Sequence, residues 1–281
     1  MKIKLLGAAL GVVFTTAVQA GVYTENDIGD YLKSLQEKHT TAEHQRGLEI
    51  YTRQYLIDEG WQDMSVRMEM TLVDATGRSS TREVMKQMFE DGNSPDKTLG
   101  IFLQPADIKG VVMLTHEQSY GADTQWLYMP VLRRTKKINA ENKSGSFVGT
   151  EFSWEDISTT ELSKYTYRYL RDEGEQWVVE RTPNYDYSGY SKQITWVDKS
   201  NYQTVRIDFI DRKGDLLKTL KQSEWKLYLD RYWRASLFEM VNHQNHKKTV
   251  LRMSDYAFRQ ELEPRRFSSL GIARLSAGAA R

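Results

Sequence analysis

The spacing of apolar residues changes along the chain from a period near 3.6 residues to a period of two. Four apolar residues between Ile28 and Leu35 follow the i, i+3, i+4, i+7 spacing of an amphipathic helix, which predicts a helix over residues 27–35. A second helical pattern covers residues 42–58, and Gly60 ends it. Downstream of this glycine, apolar and polar residues alternate, which is typical of strands with one buried face.

Alternating strands fill most of the remaining chain. The alternation begins at Val66 and continues, after the turn residues 74–77, in a second long run that reaches Phe89, which predicts a β-hairpin. Similar runs recur as far as residue 255, interrupted by a predicted helical turn over residues 154–160. In all, the pattern predicts about eleven or twelve strands.

The predicted strands belong to a single domain. The chain contains five prolines and no internal run rich in Gly, Ser and Pro that would act as a linker. The most economical organisation is one large, curved antiparallel sheet with a few helices packed on it. So many strands must close, or nearly close, to protect their edges. Pro264 and the small residues 276–280 predict a loose C-terminal tail.

Residues 1–20 have the layout of a cleaved secretory signal. A short basic start is followed by an uncharged apolar run, and Val18 and Ala20 supply the small side chains that a signal peptidase reads. The apolar run is short for a membrane span, so a retained anchor is the less favoured alternative. We therefore predict cleavage after Ala20 and a mature domain over residues 21–281. The product is expected to be a soluble exported protein, periplasmic in a Gram-negative host.

Composition and charge exclude several classes of function. The 281 residues carry a formal net charge of +1, and removing Lys2 and Lys4 with the signal would leave a net charge of −1. A dedicated nucleic-acid binder usually shows a basic excess, so we expect no nucleic-acid partner. The chain contains no cysteine, which excludes disulfides, thiolate metal sites, thiol nucleophiles and an acylated N-terminal cysteine anchor.

No catalytic or cofactor motif stands out. The sequence has no Gly-Xaa-Ser-Xaa-Gly elbow, phosphate loop or dinucleotide fingerprint, so we predict no enzyme and no cofactor. His116 and Glu117 begin like a zinc-protease motif, but Tyr120 occupies the place of the second histidine, so we predict no metal site. The alternative is a hydrolase in which Glu155 and Asp156 act as an acid–base pair. The two residues are better explained as negative charges near the start of a short helix, where they complement the helix dipole.

A basic run follows the predicted strand at residues 124–129. Arg133, Arg134, Lys136 and Lys137 are best explained as solvated strand charges that discourage pairing at a sheet edge. Contact with an anionic partner or a lipid headgroup is the alternative interpretation of this run.

Methionines concentrate in the first half of the predicted sheet. Seven of them lie between Met64 and Met129. Methionine is flexible and polarisable, which suits both core filling and surfaces that accept variable apolar ligands. A curled sheet of this size encloses more space than the side chains of one face usually fill, so we expect a ligand cavity.

Two ordered stretches carry a resemblance to a known family. Residues 126–134 read WLYMPVLRR, and residues 145–156 read GSFVGTEFSWED. Shorter matches lie at residues 105–110, 190–192, 196–198 and 211–218. Together, over most of residues 57–270, they resemble the signature of the outer-membrane lipoprotein-sorting protein family, a longer branch of the LolA-like superfamily.

The resemblance implies a LolA/LolB-like fold, in which short α-helices cover an incomplete antiparallel β-barrel of about eleven strands. It also implies a function. Carriers of this superfamily hold lipoprotein acyl chains between barrel and helices and shuttle them across the periplasm to an outer-membrane acceptor. This branch is associated with inner-membrane exporters of the resistance–nodulation–division (RND) type, so another lipid is the alternative cargo. A non-carrier adaptor of such an exporter is the alternative function.

The missing cysteine makes the chain resemble the untethered carrier rather than the anchored receptor, and we expect a monomer. The arginine that gates the better-known carrier has no position that can be matched here. We predict that the helices over residues 27–35 and 154–160 cover the opening of the barrel. Strand alternation assigns the lining face only up to a register error. The predicted lipid-binding residues are Met68, Met70, Leu72, Met88, Ile101, Leu114, Trp126, Tyr128, Phe147 and Phe152.

Overall fold

The computed structural model describes residue 35 and residues 37–90, 96–118, 122–157 and 161–279. The predicted signal and most of the predicted first helix lie outside the described residues. Two helices, α1 (Ala42–Ile57) and α2 (Ile272–Ala279), accompany thirteen strands within the described residues. The strands are β1 (Asp63–Val73), β2 (Ser79–Phe89), β3 (Lys97–Gln104), β4 (Val112–His116), β5 (Thr124–Met129), β6 (Arg134–Ile138), β7 (Tyr165–Glu173), β8 (Gln176–Pro183), β9 (Tyr190–Asp198), β10 (Thr204–Asp211), β11 (Leu216–Tyr228), β12 (Tyr232–Asn242) and β13 (Lys248–Phe258).

The strands form one antiparallel sheet in the spatial order β6-β5-β4-β3-β2-β1-β13-β12-β11-β10-β9-β8-β7. The pairing of β1 with β13, in which Met70 lies opposite Leu251, joins the two halves of the chain. β6 and β7 lie at the two ends of this order, so the barrel stays incomplete. The predicted mainly β fold with covering helices is confirmed, with thirteen strands, slightly more than the alternation predicts.

The β1–β2 hairpin forms part of the concave face of the sheet. One carboxylate oxygen of Asp74 accepts hydrogen bonds from the backbone N–H groups of Thr76 at 2.8 Å and Arg78 at 3.0 Å, which closes the turn. The turn holds a register in which Met68 lies opposite Val84. Because side chains alternate between the two faces of a strand, this register sends both residues to the concave face.

Helix α1 covers the other half of the sheet. Thr41 caps its N-terminus, because the Thr41 hydroxyl oxygen accepts a hydrogen bond from the His44 backbone N–H at 3.3 Å. At Gly47 a Cβ atom would lie 2.9 Å from the backbone nitrogen of Arg168, so only glycine lets the helix approach β7 this closely. Tyr51 then packs on Tyr167, with ring centroids 4.6 Å apart. The predicted helix over residues 42–58 is therefore confirmed.

Residues 143–157, here called the covering segment, lie between β6 and β7 and pack on the concave face. Phe147, Phe152 and Trp154 belong to the same buried cluster as Met70. Residues 154–157 form turns rather than a helix, so the predicted helical turn is wrong over these residues, and residues 158–160 lie outside the described part. Side-chain burial and local turn hydrogen bonds, rather than a helical ladder, hold the segment.

The C-terminal part of the chain packs on the opposite, convex face. A 3₁₀-helix over Pro264–Phe267 leads into α2. Phe267 and Ile272 are almost completely buried against β3 and β4. Where the sequence predicts a loose tail, the described residues up to 279 therefore form an ordered cover for this face.

Candidate functional site

The concave face, α1 and the covering segment border a partly open cavity of about 450 Å³. This volume lies in the range of roughly 300–1,000 Å³ that is typical of small-molecule pockets. The apolar part of its wall comes from strands on both sides of the β1–β13 junction. Helix α1 contributes Tyr51, Gln54 and Tyr55, and the covering segment contributes Phe147 and Phe152.

Methionines form a large part of this wall. Those that line the cavity are Met64, Met68, Met70, Met88, Met113 and Met253. All but Met253 come from the stretch in which the sequence shows its concentration of methionines. Unbranched, polarisable side chains adapt to apolar ligands of varied shape, so this wall is suited to hydrocarbon.

Half of the predicted lipid-binding residues line the cavity. The lining residues are Met68, Met70, Met88, Phe147 and Phe152. Leu72 packs against the same buried cluster, at the edge of this group. The contacts of these six residues place them on the concave side of the sheet or over it.

The other four predicted residues lie on the convex face, so their assignment to the cavity wall is wrong. Ile101, Leu114, Trp126 and Tyr128 pack with Phe267 and Ile272 under the C-terminal cover. In β3 and β4 the true lining residues are Gly100, Phe102 and Met113, each one position away from a predicted residue. A register error of one residue moves a whole strand's side chains to the opposite face. Both faces of these strands carry apolar residues, so the alternation alone does not identify the inner one.

Hydrogen bonds tie the covering segment to the sheet. The Gln125 side-chain amide donates to the carbonyl oxygen of Trp154 at 3.0 Å. Within the segment, the Phe147 backbone N–H donates to the Phe152 carbonyl oxygen at 2.7 Å, and the Phe147 and Trp154 rings meet edge to face at 5.0 Å. These contacts hold two aromatic lining residues in place above the methionines.

Asp156 and Lys218 form a buried ion pair beneath the covering segment. The Lys218 Nζ atom lies 2.6 Å from an Asp156 carboxylate oxygen, and the side chains are only 5% and 3% exposed. Asp156 also accepts from the Ser153 backbone N–H at 2.7 Å and from the Tyr190 hydroxyl at 2.8 Å. The carboxylate is thus held by three donors from different elements, which is the arrangement of a structural anchor.

Glu155 makes the second buried anchor of the segment. It accepts from the Tyr185 hydroxyl at 2.5 Å, from the Ser188 hydroxyl, and from the Gly189 backbone N–H at 2.9 Å. Burial raises the pKa of Glu155, although these donors act against that rise. Glu155 and Asp156 are the two carboxylates of the hydrolase alternative. In the structure they fasten the covering segment to three places: the loop before β9, β9 itself and β11.

Three cations face the cavity, whose wall also contains acidic side chains such as Asp58, Glu117 and Glu161. Lys86 projects from the middle of β2, and burial lowers the pKa of its amine. Arg234 on β12 pairs with Asp58 at 2.5 Å. Arg181 on β8 is only 6% exposed. Sequence reasoning missed all three, because a charged residue within an alternating run normally marks the solvent face.

Arg181 is held among tyrosines. The centre of its guanidinium lies 5.3 Å from the Tyr51 ring centroid and 4.9 Å from the Tyr165 ring centroid, so both rings make cation–π contacts. Its Nη2 group donates to the side-chain oxygen of Gln193. Its Nε group has no hydrogen-bond partner among the described residues.

The described residues lack two kinds of feature. They contain no group of three or more His, Cys, Asp or Glu side chains placed to hold a metal ion. They also contain no helix with the length and apolarity required to cross a membrane.

Several solved structures are similar to this chain. A domain from Vibrio parahaemolyticus, assigned as an outer membrane lipoprotein-sorting protein domain, is 44% identical over 82% of this chain and 100% of that chain, with a TM-score of 0.80. A DUF1329 family protein from Desulfovibrio piger is 24% identical over 83% and 100%, with a TM-score of 0.78. A LolA superfamily protein from Nitrosomonas europaea is 20% identical over 81% and 98%, with a TM-score of 0.63. The last two similarities show the shared fold.

A family model described as that of an uncharacterized protein matches residues 94–274. No curated protein matches the chain. The incomplete barrel and its covered concave face define a LolA-like fold, as the sequence motifs imply. More particularly, the chain belongs to the outer-membrane lipoprotein-sorting protein family.

Proposed function

We propose that the protein is a periplasmic carrier that binds lipoprotein acyl chains, or another lipid, in the methionine-lined cavity. The observation that carries this proposal is the partly open, mainly apolar cavity of about 450 Å³ in a member of a lipoprotein-sorting family. Burial of hydrocarbon is worth roughly 0.8 kcal/mol per CH₂ group, so an acyl chain that leaves water for this wall is bound without any catalytic residue.

A carrier must also release its cargo. A long chain that is fully buried would bind too tightly for delivery, so the cavity must open or be only partly occupied. The proposed route runs from the inner membrane, with an RND-type exporter as the expected partner, to an outer-membrane acceptor.

Native mass spectrometry of protein purified from its own periplasm tests this function. We expect the mature chain, cleaved after Ala20, to carry an additional mass equal to one lipid that is lost on denaturation. The fragment spectrum of the released ligand then identifies the cargo. The observed chain mass reports at the same time whether residues 1–20 have been removed.

Lipid transfer is the second measurement. The protein is expected to accelerate exchange of a fluorescent long-chain lipid between two populations of phospholipid vesicles. Absence of bound lipid from the native protein, together with no uptake and no exchange, would contradict the carrier and favour the exporter adaptor.

A further inference from the structure

The cavity wall contains a buried cation that the hydrocarbon-binding role does not require. Arg181 lines the same cavity as the methionines, and only 6% of its surface is exposed. Burying a charge is costly unless that charge is paired and hydrogen-bonded. A wall built only to hold hydrocarbon would be more stable with an apolar side chain at this position.

Within the described residues, Arg181 forms no ion pair. Its Nη2 group donates to the neutral amide of Gln193, its two ring contacts are with neutral tyrosines, and its Nε donor has no partner. Two tyrosines lie between Arg181 and Glu155. The Tyr185 hydroxyl donates to Glu155 and lies 3.3 Å from the Tyr165 hydroxyl, and the Tyr165 ring contacts the guanidinium. The guanidinium therefore keeps donor capacity inside a low-dielectric cavity.

The other cations of the wall differ from Arg181. Arg234 has the carboxylate of Asp58 at 2.5 Å. Lys86 has Glu117 as an electrostatic neighbour, and Glu117 also lines the cavity. Both are therefore associated with acidic groups of the chain, whereas Arg181 is surrounded by aromatic rings and amides.

The unused donor also has the right geometry for an anion. The unpartnered Nε lies beside Nη2 on one edge of the planar guanidinium, the edge that binds carboxylate or phosphate oxygens, and Nη2 has a second N–H group besides the one that donates to Gln193. Tyr51 and Tyr165 hold the guanidinium by cation–π contacts, so little conformational freedom is lost when an anion binds. Charge-assisted hydrogen bonds gain strength where water is excluded.

We propose that Arg181 binds the anionic, oxygen-bearing headgroup of a single-chain lipid whose hydrocarbon lies along the methionine wall. This inference rests on the proposed lipid-binding function and specifies its ligand class. A carboxylate and a phosphate monoester share the required chemistry. Glu161 and five other carboxylate residues also line the cavity, so we expect the anionic headgroup to lie at Arg181 rather than elsewhere along the wall.

Competition among matched lipids tests the proposal on the full mature chain. Palmitate, hexadecyl phosphate and hexadecanol have chains of equal length and differ in the headgroup. Each is titrated against the neutral fluorescent probe N-phenyl-1-naphthylamine bound to the protein. We expect one or both anionic lipids to bind about tenfold more tightly than hexadecanol, the order expected for a charge-assisted hydrogen bond. The tighter of the two identifies the headgroup.

The variant Arg181→Gln is expected to bring the affinities of the anionic and neutral lipids together, because it removes the charge that distinguishes their headgroups. Lys86→Gln is the matched control, because it removes a different cation from the same cavity and should retain the preference. Arg181→Lys keeps the charge without the fork and should retain part of the preference. The wild-type headgroup comparison needs no variant, so a variant that fails to fold does not remove the test.

The outcomes separate the two proposals. Equal binding of all three lipids by the wild type, a preference that survives in Arg181→Gln, or a preference lost in Lys86→Gln would overturn the headgroup assignment while leaving the carrier intact. If none of the lipids displaces the probe or binds directly by calorimetry, the lipid-binding function itself fails, and this inference fails with it.

Discussion

At the scale of single residues, side-chain direction decides which apolar groups meet a ligand. Phe102 and Met113 face the cavity, while their neighbours Ile101 and Leu114 face α2. All four are buried, so burial alone does not separate wall from core. The distinction comes from which element covers each face.

Filling the cavity should weaken lipid binding. We expect Met88→Trp to place a larger ring among the lining methionines and to reduce affinity for a long-chain lipid about tenfold, since overpacking costs roughly 1–3 kcal/mol. Displacement of N-phenyl-1-naphthylamine measures the change. Tyr128→Trp, on the convex face, is the control. Equal losses in both variants would show that Met88 has no special place in the binding wall.

The buried Asp156–Lys218 pair should contribute far more to stability than a surface pair. Lys218→Met leaves the Asp156 carboxylate buried without its cation, and we expect a loss of about 3–5 kcal/mol in the free energy of unfolding. The matched control is Glu263→Gln, which breaks the exposed pair with Arg265 and should cost less than about 1 kcal/mol. Urea unfolding measures both. Comparable losses would contradict the anchoring role.

At the scale of elements, two segments with weak sequence patterns cover the two faces of the sheet. The covering segment has no regular helix over residues 154–157, yet two buried carboxylates and three aromatic side chains hold it. Helix α2 occupies the convex face and buries Ile272. Neither segment shows the long periodic pattern from which elements are most securely predicted.

Helix α2 should be a structural part of the domain rather than a tail. We expect Ile272→Ala to lower the free energy of unfolding by about 2–5 kcal/mol, because it leaves a cavity beneath the helix. Arg274→Ala, at an exposed position of the same helix, should change it by less than about 0.5 kcal/mol. Thermal and urea unfolding compare the two variants. A loss below about 1 kcal/mol for Ile272→Ala would indicate a weakly docked helix.

At the scale of the whole molecule, a single open sheet produces both the cavity and two end strands at which another molecule could pair. The curved sheet encloses space that α1 and the covering segment close. Its end strands β6 and β7 each have an edge that pairs with no other strand of the sheet. Exposed edges invite pairing with another molecule, and charged side chains oppose it. The exposed Lys136 and Lys137 on β6 fit that role.

Removing these charges should promote self-association. We expect the double variant with Lys136→Thr and Lys137→Thr to form larger species than the wild type does at the same concentration. Sedimentation velocity over a concentration series measures the change. The control carries Lys221→Thr and Lys226→Thr on β11, which lies inside the strand order. If both double variants sediment alike, the charges of β6 do not protect an edge.

The local pattern was enough to predict much of the fold. Alternation predicts the β1–β2 hairpin and most later strands, and the helical spacing predicts α1. These features arise from the geometry of the backbone, in which successive strand side chains point to opposite faces and helical ones recur every turn. The methionine concentration and the family motifs likewise point to an apolar cavity before any coordinates are considered.

Tertiary structure alone decided which face became the cavity wall. β3 to β5 carry apolar side chains on both sides, and the inner side is set only when α2 covers one face and the covering segment packs over the other. Arg181 and Lys86 show the same principle, because partners distant in the chain determine whether a charged side chain meets solvent or an enclosed cavity. Local periodicity records the direction of a side chain relative to its neighbours, whereas packing between distant segments determines what lies on each side.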